Sequence, residues 1–216
     1  MWPNPTVYPS KFARRVPELE FFAKVDPVLG TPIDQALIDE DNKRHAIYLA
    51  RMRTKGGTVE VLVKFTARYN AFAHWLLADH DPPLAPALYS SELVIGDMFM
   101  VVMEYIPTSE GTSLINLSPP PPALDVIYRD VSHALGVLHG MGLVFGDLRE
   151  SNVLYLPMEG RALLINFEAA DEERKGRYSA CLDPRAGLGV DRMQMMEKCH
   201  DVENLGRLMN RISRGL

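Results

Sequence analysis

Several features that would place a protein in a special class are missing from this chain of 216 residues. Its two cysteines, Cys181 and Cys199, form neither a metal-ligand spacing nor a disulfide framework, so a reducing compartment is expected. No run approaches the roughly 18 apolar residues that a membrane-spanning helix needs. The first residues carry scattered prolines and charges without the apolar core of a signal peptide. A net charge of -5 argues against a module that binds nucleic acid through phosphate contacts.

What is present is the composition of an ordinary globular protein. The chain is 47% hydrophobic and 24% charged, which is enough apolar material to bury a core. We therefore expect a cytoplasmic or nuclear protein with no nucleic-acid partner and no membrane segment.

The first half of the chain reads as an antiparallel sheet preceded by an arm. Residues 1–33 hold scattered prolines and predict an irregular arm with one short helix around Pro17 to Val25. Residues 34–106 hold two predicted hairpins. In the first, "HAIYLARM" and "VEVLVKF" flank Gly56-Gly57, and in the second, "LYSSELVI" and "MFMVVMEYI" flank Gly96-Asp97. Between the hairpins, "NAFAHWLLADH" has the apolar spacing of a short helix.

The second half reads as mainly helical. Residues 107–122 are interpreted as a hinge and a proline-rich linker, because "SPPPP" continues neither a helix nor a central strand. Residues 123–216 begin with a helix to about His139, followed by the short strands "NVLYL" and "ALLINF". A last helix is predicted from Asp191 or Asp201 to Ile212. The fold class is therefore α+β, with a small sheet lobe before a mainly helical lobe.

A polar stretch between two of these apolar runs is the strongest candidate for chemistry. In "VFGDLRESNVLYL", Asp147, Arg149 and Asn152 lie between buried segments. One interpretation is a loop that carries catalytic groups, and the other is a polar turn capped by its Asp and Asn side chains.

The order of these motifs resembles the protein kinase-like superfamily. The segments that carry the resemblance are "VLVKF", "VVMEY", a long helix, "GDLRESN" and "LINFE", over residues 35 to 212. The sequences of these motifs are similar to those of kinase-like proteins of fungi and of small-molecule kinases. The resemblance implies a two-lobed fold that uses ATP and Mg²⁺.

The resemblance assigns a nucleotide-binding role to part of the sheet. Lys64 corresponds to the strand lysine that holds the α and β phosphates. Leu62, two residues earlier and therefore on the same strand face, would form the roof over the adenine. Met103 corresponds to the gatekeeper, and the backbone of Glu104 and Ile106 would face the adenine edge.

The resemblance assigns catalysis and metal binding to the second half. Asp147 would accept the proton of the incoming hydroxyl, and Arg149 would lie near the γ-phosphate. Asn152 and Asn166 occupy the two positions that hold Mg²⁺. Asp201 would bind the backbone of the catalytic loop rather than a substrate.

The chain also departs from the family pattern. The metal-binding Asp-Phe-Gly is Asn166-Phe167-Glu168, and an amide lacks the charge that Mg²⁺ favours. The phosphate-covering glycine-rich loop is missing, and the helix after Lys64 offers no glutamate to pair with it. The residues before Asp147 are Phe145-Gly146 instead of His-Arg, so regulation by a phosphorylated activation loop is not expected. No Ala-Pro-Glu segment is present, which predicts a truncated helical lobe.

Three hypotheses follow from this mixture of kept and lost parts. The favoured one is a pseudokinase that acts as a binding or scaffold module and holds a nucleotide weakly. The second is a working kinase that phosphorylates a protein Ser/Thr or a small-molecule hydroxyl, with Asp147 as base and with Asn166 or Glu168 helping Asn152 to hold the metal. The third is a truncated, non-functional product of a longer kinase-like gene.

Overall fold

The structure is a computed structural model that divides the chain into two compact units. The first comprises Met1–Arg68 with Ala87–Thr108, and the second comprises Tyr69–Pro86 with Ser109–Leu216. The residues that the structure describes are 17–26, 29–33, 46–94, 96–117, 123–182 and 187–214. Most of the predicted arm and the whole of the "SPPPP" linker lie outside the described residues.

The first unit is built on a six-stranded antiparallel sheet with the order β2-β1-β3-β4-β6-β5. Its strands are β1 (Leu19–Val25), β2 (Pro32–Ile33), β3 (Ile47–Thr54), β4 (Gly57–Thr66), β5 (Leu88–Val94) and β6 (Met98–Glu104). The two predicted hairpins are confirmed as β3–β4 and β5–β6. In the first, Thr54 pairs with Gly57, so the turn residues are Lys55-Gly56 rather than Gly56-Gly57. Gly57 supplies the positive φ of 128° that the return of the chain requires.

The short helix predicted around Pro17 to Val25 is wrong, because this segment forms strand β1. Its backbone pairs with β3 from Leu19 opposite Met52 to Lys24 opposite Tyr48. Leu19 and Phe21 are alternate residues that pack together against the sheet core. Pairing with a distant strand therefore overrides the local signal of a proline at a helix start.

The core of the first unit lies on one face of the sheet. Val61 and Val63 of β4 are fully buried there with Met100 and Val102 of β6. Because side chains alternate along a strand, Leu62 and Lys64 lie on the opposite face, as predicted.

Among the described residues, the second unit contains three α-helices and two small sheets. The helices are α1 (Ala71–Ala78), α2 (Leu124–Gly140) and α3 (Lys198–Arg214). The strands are β7 (Thr112–Ser113), β8 (Leu143–Val144), β9 (Val153–Leu156), β10 (Arg161–Leu164) and β11 (Asp171–Glu172). Strands β10, β9 and β7 form one sheet in that order, and β11 pairs with β8. Helix α1 clusters with this unit, whereas the sequence-based boundaries group it with the strands.

The long helices form because their apolar residues recur on one face. Helix α2 buries Ile127, Val131 and Leu138, and it ends where Gly142 adopts a φ of 74°. Helix α3 begins at Lys198, between the two predicted starts, and buries Leu205 and Leu208 together with the charged Asp201. In the part of the chain that the structure describes, no helix has the length and apolar character needed to cross a membrane.

Candidate functional site

The loop from β8 to β9 brings Asp147 and Asn152 into direct contact. The Nδ2 of Asn152 donates to the backbone carbonyl and to the Oδ2 of Asp147, each at 2.7 Å. Both partners are acceptors, so the amide orientation is fixed with Nδ2 toward Asp147 and Oδ1 away from it. The backbone of Asn152 also bonds to the carbonyl of Arg149 and to the amide of Ile165, which fixes the residue at the start of β9.

Arg149 is the cation of this loop. Its Nη2 donates to the Oδ2 of Asp147 at 3.0 Å, and 40% of its side chain is exposed. Its Nε is buried without a hydrogen-bond partner among the described residues. A buried donor without an acceptor costs free energy, so the contact with Asp147 leaves the guanidinium of Arg149 only partly satisfied.

The environment of Asp147 favours its protonated form. Burial raises the pKa of the Asp147 carboxyl above its usual value, and the nearby Glu168 adds to this rise. The charge of Arg149 and the hydrogen bonds from Asn152 and Arg149 oppose it without cancelling it. A carboxylate with a raised pKa is a better proton acceptor, which suits the role of general base that the resemblance assigns to it.

Asn166 contacts the other end of the Asn152 amide. Its Nδ2 donates to the Oδ1 of Asn152 at 3.3 Å. Asn166 has a φ of 69°, a left-handed conformation that asparagine adopts more readily than most residues. The two residues assigned to the metal therefore bind to each other.

Phe167 anchors this segment inside the second unit. Its ring stacks on the His74 ring with centroids 4.7 Å apart and meets the Phe145 ring edge-on at 5.6 Å. The Nε2 of His74 donates to the Pro86 carbonyl, so its Nδ1 must accept from the hydroxyl of Tyr69. Burial lowers the pKa of His74 to about 4, which keeps this stacked ring neutral.

These residues do not fit a Mg²⁺ site well. Mg²⁺ prefers carboxylate oxygens, but the two metal positions are neutral amides, and the Oδ1 of Asn152 already accepts from Asn166. Asp147 is itself occupied by Asn152 and Arg149. Within the described ranges, no group of three or more His, Cys, Asp or Glu side chains is placed to hold a metal ion.

The loop is supported from α3 by Asp201, as the resemblance to kinases implies. This fully buried carboxylate accepts from the backbone amides of Phe145 at 2.8 Å and Gly146 at 2.9 Å. It also accepts from the Nε2 of His139 at 2.9 Å. Sequence reasoning missed His139, because its spacing on α2 carries no metal or catalytic signature.

A second support was also missed. Arg211 of α3 binds Glu150 through two hydrogen bonds, with Nε to Oε1 at 2.5 Å and Nη2 to Oε2 at 3.3 Å. The hydroxyl of Ser113 donates to the carbonyl of Glu150 at 3.0 Å. Glu150 and Arg211 are 61 positions apart, so no local pattern could pair them.

The candidate nucleotide residues of the first unit share one face of its sheet. Leu62 pairs with Met103, and Lys64 pairs with Val101, so these four side chains lie on the same face. Met103 is buried, while Leu62 and Lys64 are half-buried.

The predicted hinge is fixed by its own backbone and side chain. Glu104 donates its backbone amide to the Ala87 carbonyl at 2.8 Å, and its Oε2 accepts from the Ala87 amide at 2.9 Å. Ile106, two residues later, is half-buried. The expected absence of a glutamate from the helix after Lys64 holds, since α1 has the sequence AFAHWLLA.

The strand order of the first unit, the loop of Asp147 and Asn152, and its support by Asp201 together define a kinase-like fold of the α+β class. The solved structure of the kinase PK-1 of Cydia pomonella granulovirus is similar to this chain, with a TM-score of 0.64 and 16% sequence identity. The likeness covers 96% of this chain and 72% of that chain, and at this identity it shows the fold alone. No protein-family model matches the chain, and no curated protein matches it in sequence.

Proposed function

We propose that this protein is a pseudokinase, a kinase-like domain that acts as a binding or scaffold module and has lost most phosphotransfer. The observation that carries the proposal is the hydrogen bond from Asn166 Nδ2 to Asn152 Oδ1. This bond turns an N–H toward the oxygen that a metal would need. A neutral amide that donates to Asn152 needs no cation beside it, whereas a carboxylate in place of Asn166 would gain from one.

Nucleotide binding without catalysis is compatible with the parts that remain. Lys64 and Leu62 share a sheet face with the gatekeeper candidate Met103, and hinge contacts use backbone atoms that do not depend on side-chain identity. A ligand held in this way would bind weakly, because its phosphates would lack the Mg²⁺ that normally neutralises them. The partner of such a module is proposed to be another protein.

Thermal unfolding with and without ATP and Mg²⁺ tests the proposal. A ligand that binds only the folded state raises the melting temperature, so a small rise with ATP that does not grow with Mg²⁺ is expected. Lys64→Ala should abolish the rise. Lys55→Ala, in the exposed β3–β4 turn, is the matched control and should leave it unchanged. A Mg²⁺-dependent rise, with ATP turnover lost in Asp147→Ala, would contradict the pseudokinase proposal.

A working kinase is the second candidate, and a specific observation favours it. The raised pKa of Asp147 and the partly exposed guanidinium of Arg149, whose Nη2 contacts Asp147, are properties that a general base and a phosphate-binding cation would need. Glu168 lies near enough to Asp147 to raise its pKa and could provide the carboxylate that Asn166 lacks. If the protein is a working kinase, Glu168→Gln should remove ATP turnover while leaving the melting temperature of the ligand-free protein nearly unchanged.

A further inference from the structure

A surface cavity of about 400 Å³ lies in the second unit, away from the residues of the candidate site. Its walls come from the turn after α1, from the outer face of α2 and from the β9–β10 hairpin. Its lining includes Leu84, Arg129, Asp130, His133, Glu159 and Arg161. The hairpin begins next to Asn152 and ends two residues before Asn166, so the cavity is at its opposite end, about 13 Å along the strands.

The cavity walls are held by hydrogen bonds between the three segments. The edge of β10 is closed where the amide of Leu164 donates to the Leu84 carbonyl and the amide of Ala162 donates to the Oδ2 of Asp130, each at 2.9 Å. Arg161 donates from Nη1 to the Pro83 carbonyl at 3.1 Å. The space is therefore bounded by fixed elements, and an added β-strand could not occupy this edge.

The hydrogen-bonding groups still available in the cavity are mainly donors. Both oxygens of Asp130 are in use, one by the Ala162 amide and the other by the Nε of Arg129 at 2.8 Å. The two terminal nitrogens of Arg129 remain available, since it makes no other hydrogen bond or ion pair among the described residues, and 66% of its side chain is exposed. His133 contacts the His80 ring edge-on and makes no hydrogen bond within the described part of the chain.

One carboxylate oxygen of the lining also remains available. Glu159 binds Arg161 through its Oε2 and keeps its Oε1, so the N–H groups of the two free terminal nitrogens of Arg129 still outnumber this acceptor. Leu84 and the two prolines before it add an apolar wall. The cavity volume lies within the range of small-molecule sites, which combine apolar walls with a few polar groups.

We propose that this cavity binds a small organic anion, a carboxylate or phosphate on a compact apolar body, with Arg129 and His133 contacting the anionic group. The site does not depend on the proposed pseudokinase function, since none of its residues belongs to the nucleotide or catalytic set. Binding here would also not require Mg²⁺.

The test titrates the full chain with phenyl phosphate, benzoate and the neutral benzyl alcohol, followed by ¹H–¹⁵N NMR. The expected result is saturable shifts of the Gly160 and Ala162 amides, both of which line the cavity, with one or both anions and none with the alcohol. Arg129→Gln should weaken binding about tenfold or more, because a hydrogen bond to a charged group contributes at least this much. Arg174→Gln, another exposed arginine of the same unit, is the control and should leave the affinity unchanged.

The two anions distinguish a phosphate ligand from a carboxylate ligand, and either result supports the proposal. Four outcomes would overturn it: no saturable shift with either anion, equal binding of benzyl alcohol, full affinity in Arg129→Gln, or shifts confined to residues 146–152. The last outcome would place the anion at the catalytic loop beside Arg149. Because Arg129 is mostly exposed, its substitution should leave the fold intact, and the melting temperature checks this directly.

Discussion

Restoring a carboxylate at position 166 is the sharpest test of the metal argument. In Asn166→Asp, an oxygen replaces the Nδ2 that donates to Asn152 Oδ1. The Oδ1 of Asn152 loses this donor and becomes available to a cation. The backbone should tolerate the change, because aspartate, like asparagine, adopts the left-handed conformation seen here at a φ of 69°. The substitution therefore changes charge and leaves shape almost unchanged.

The expected gain in Mg²⁺ affinity is large. Two unit charges about 4 Å apart interact by about 4 kcal/mol at an effective dielectric near 20, and Mg²⁺ carries two charges. Desolvation cancels part of this energy, and a remainder of about 3 kcal/mol corresponds to about a hundredfold in affinity. Without metal, the new carboxylate lies in a segment that already holds Glu168 close to Asp147, so the melting temperature should fall by about 2–4 °C for each kcal/mol of repulsion.

Thermal unfolding of the wild type and Asn166→Asp, each with ATP and increasing Mg²⁺, measures both effects. We expect a Mg²⁺-dependent stabilisation only in the variant, together with a gain in ATP turnover. Asn210→Asp, the same substitution at an exposed position of α3, is the matched control and should show neither effect. If the wild type and Asn166→Asp responded to Mg²⁺ equally, Asn166 would not limit metal binding and the pseudokinase argument would lose its basis.

Three further substitutions test the loop and its supports. Asp201→Ala leaves three hydrogen-bond donors without their acceptor, so the free energy of unfolding should fall by about 3–5 kcal/mol and the melting temperature by about 6–20 °C. Glu203→Ala, at an exposed position of the same helix, is the control and should leave both quantities nearly unchanged. Arg211→Ala removes a partly buried bidentate ion pair with Glu150, so chemical denaturation should show a loss of about 1–2 kcal/mol in the free energy of unfolding. The exposed Arg214→Ala should cause almost no loss. Equal losses in the two variants would mean that the Arg211–Glu150 pair does not stabilise the fold. The pKa of Asp147 is raised in the folded state, so its ionised form opposes folding at neutral pH. This destabilisation disappears as the pH falls through the raised pKa and the carboxyl becomes protonated. The melting temperature of Asp147→Asn should therefore exceed that of the wild type at pH 7, and the difference should narrow toward pH 4. A difference that grows on acidification would contradict the direction of the shift.

The parts of the fold that sequence reasoning predicted depend on local patterns. The two hairpins follow from β-rich runs around glycine-containing turns, and α2 follows from apolar residues that recur at helical spacing. Strand β1 was mistaken for a helix because its pairing with β3, more than twenty residues away, leaves no mark on the segment itself. Its proline and acidic residues fit a helix start equally well.

The candidate site also has parts that could be predicted from the sequence and parts that could not. The resemblance to kinases implied that Asp147 and Asn152 belong to one site, and the structure places them in contact. The support of the loop by Asp201 was predicted through the resemblance. The contacts of His139 and Arg211 with the loop were not predicted, because each joins residues that are distant in the chain and individually unremarkable in type.

The supports of the catalytic loop and its metal positions are physically separate. Asp201 and Arg211 hold the loop from α3 through backbone amides and Glu150, and neither contact involves Asn152 or Asn166. The loop can therefore keep its geometry when metal binding is lost. Without a cation, a carboxylate at position 166 would add negative charge near Asp147, whose ionised form is already disfavoured by burial. The amide of Asn166 adds no charge and donates a hydrogen bond to Asn152. Asparagine at position 166 is therefore compatible with a loop that stays ordered in the absence of Mg²⁺.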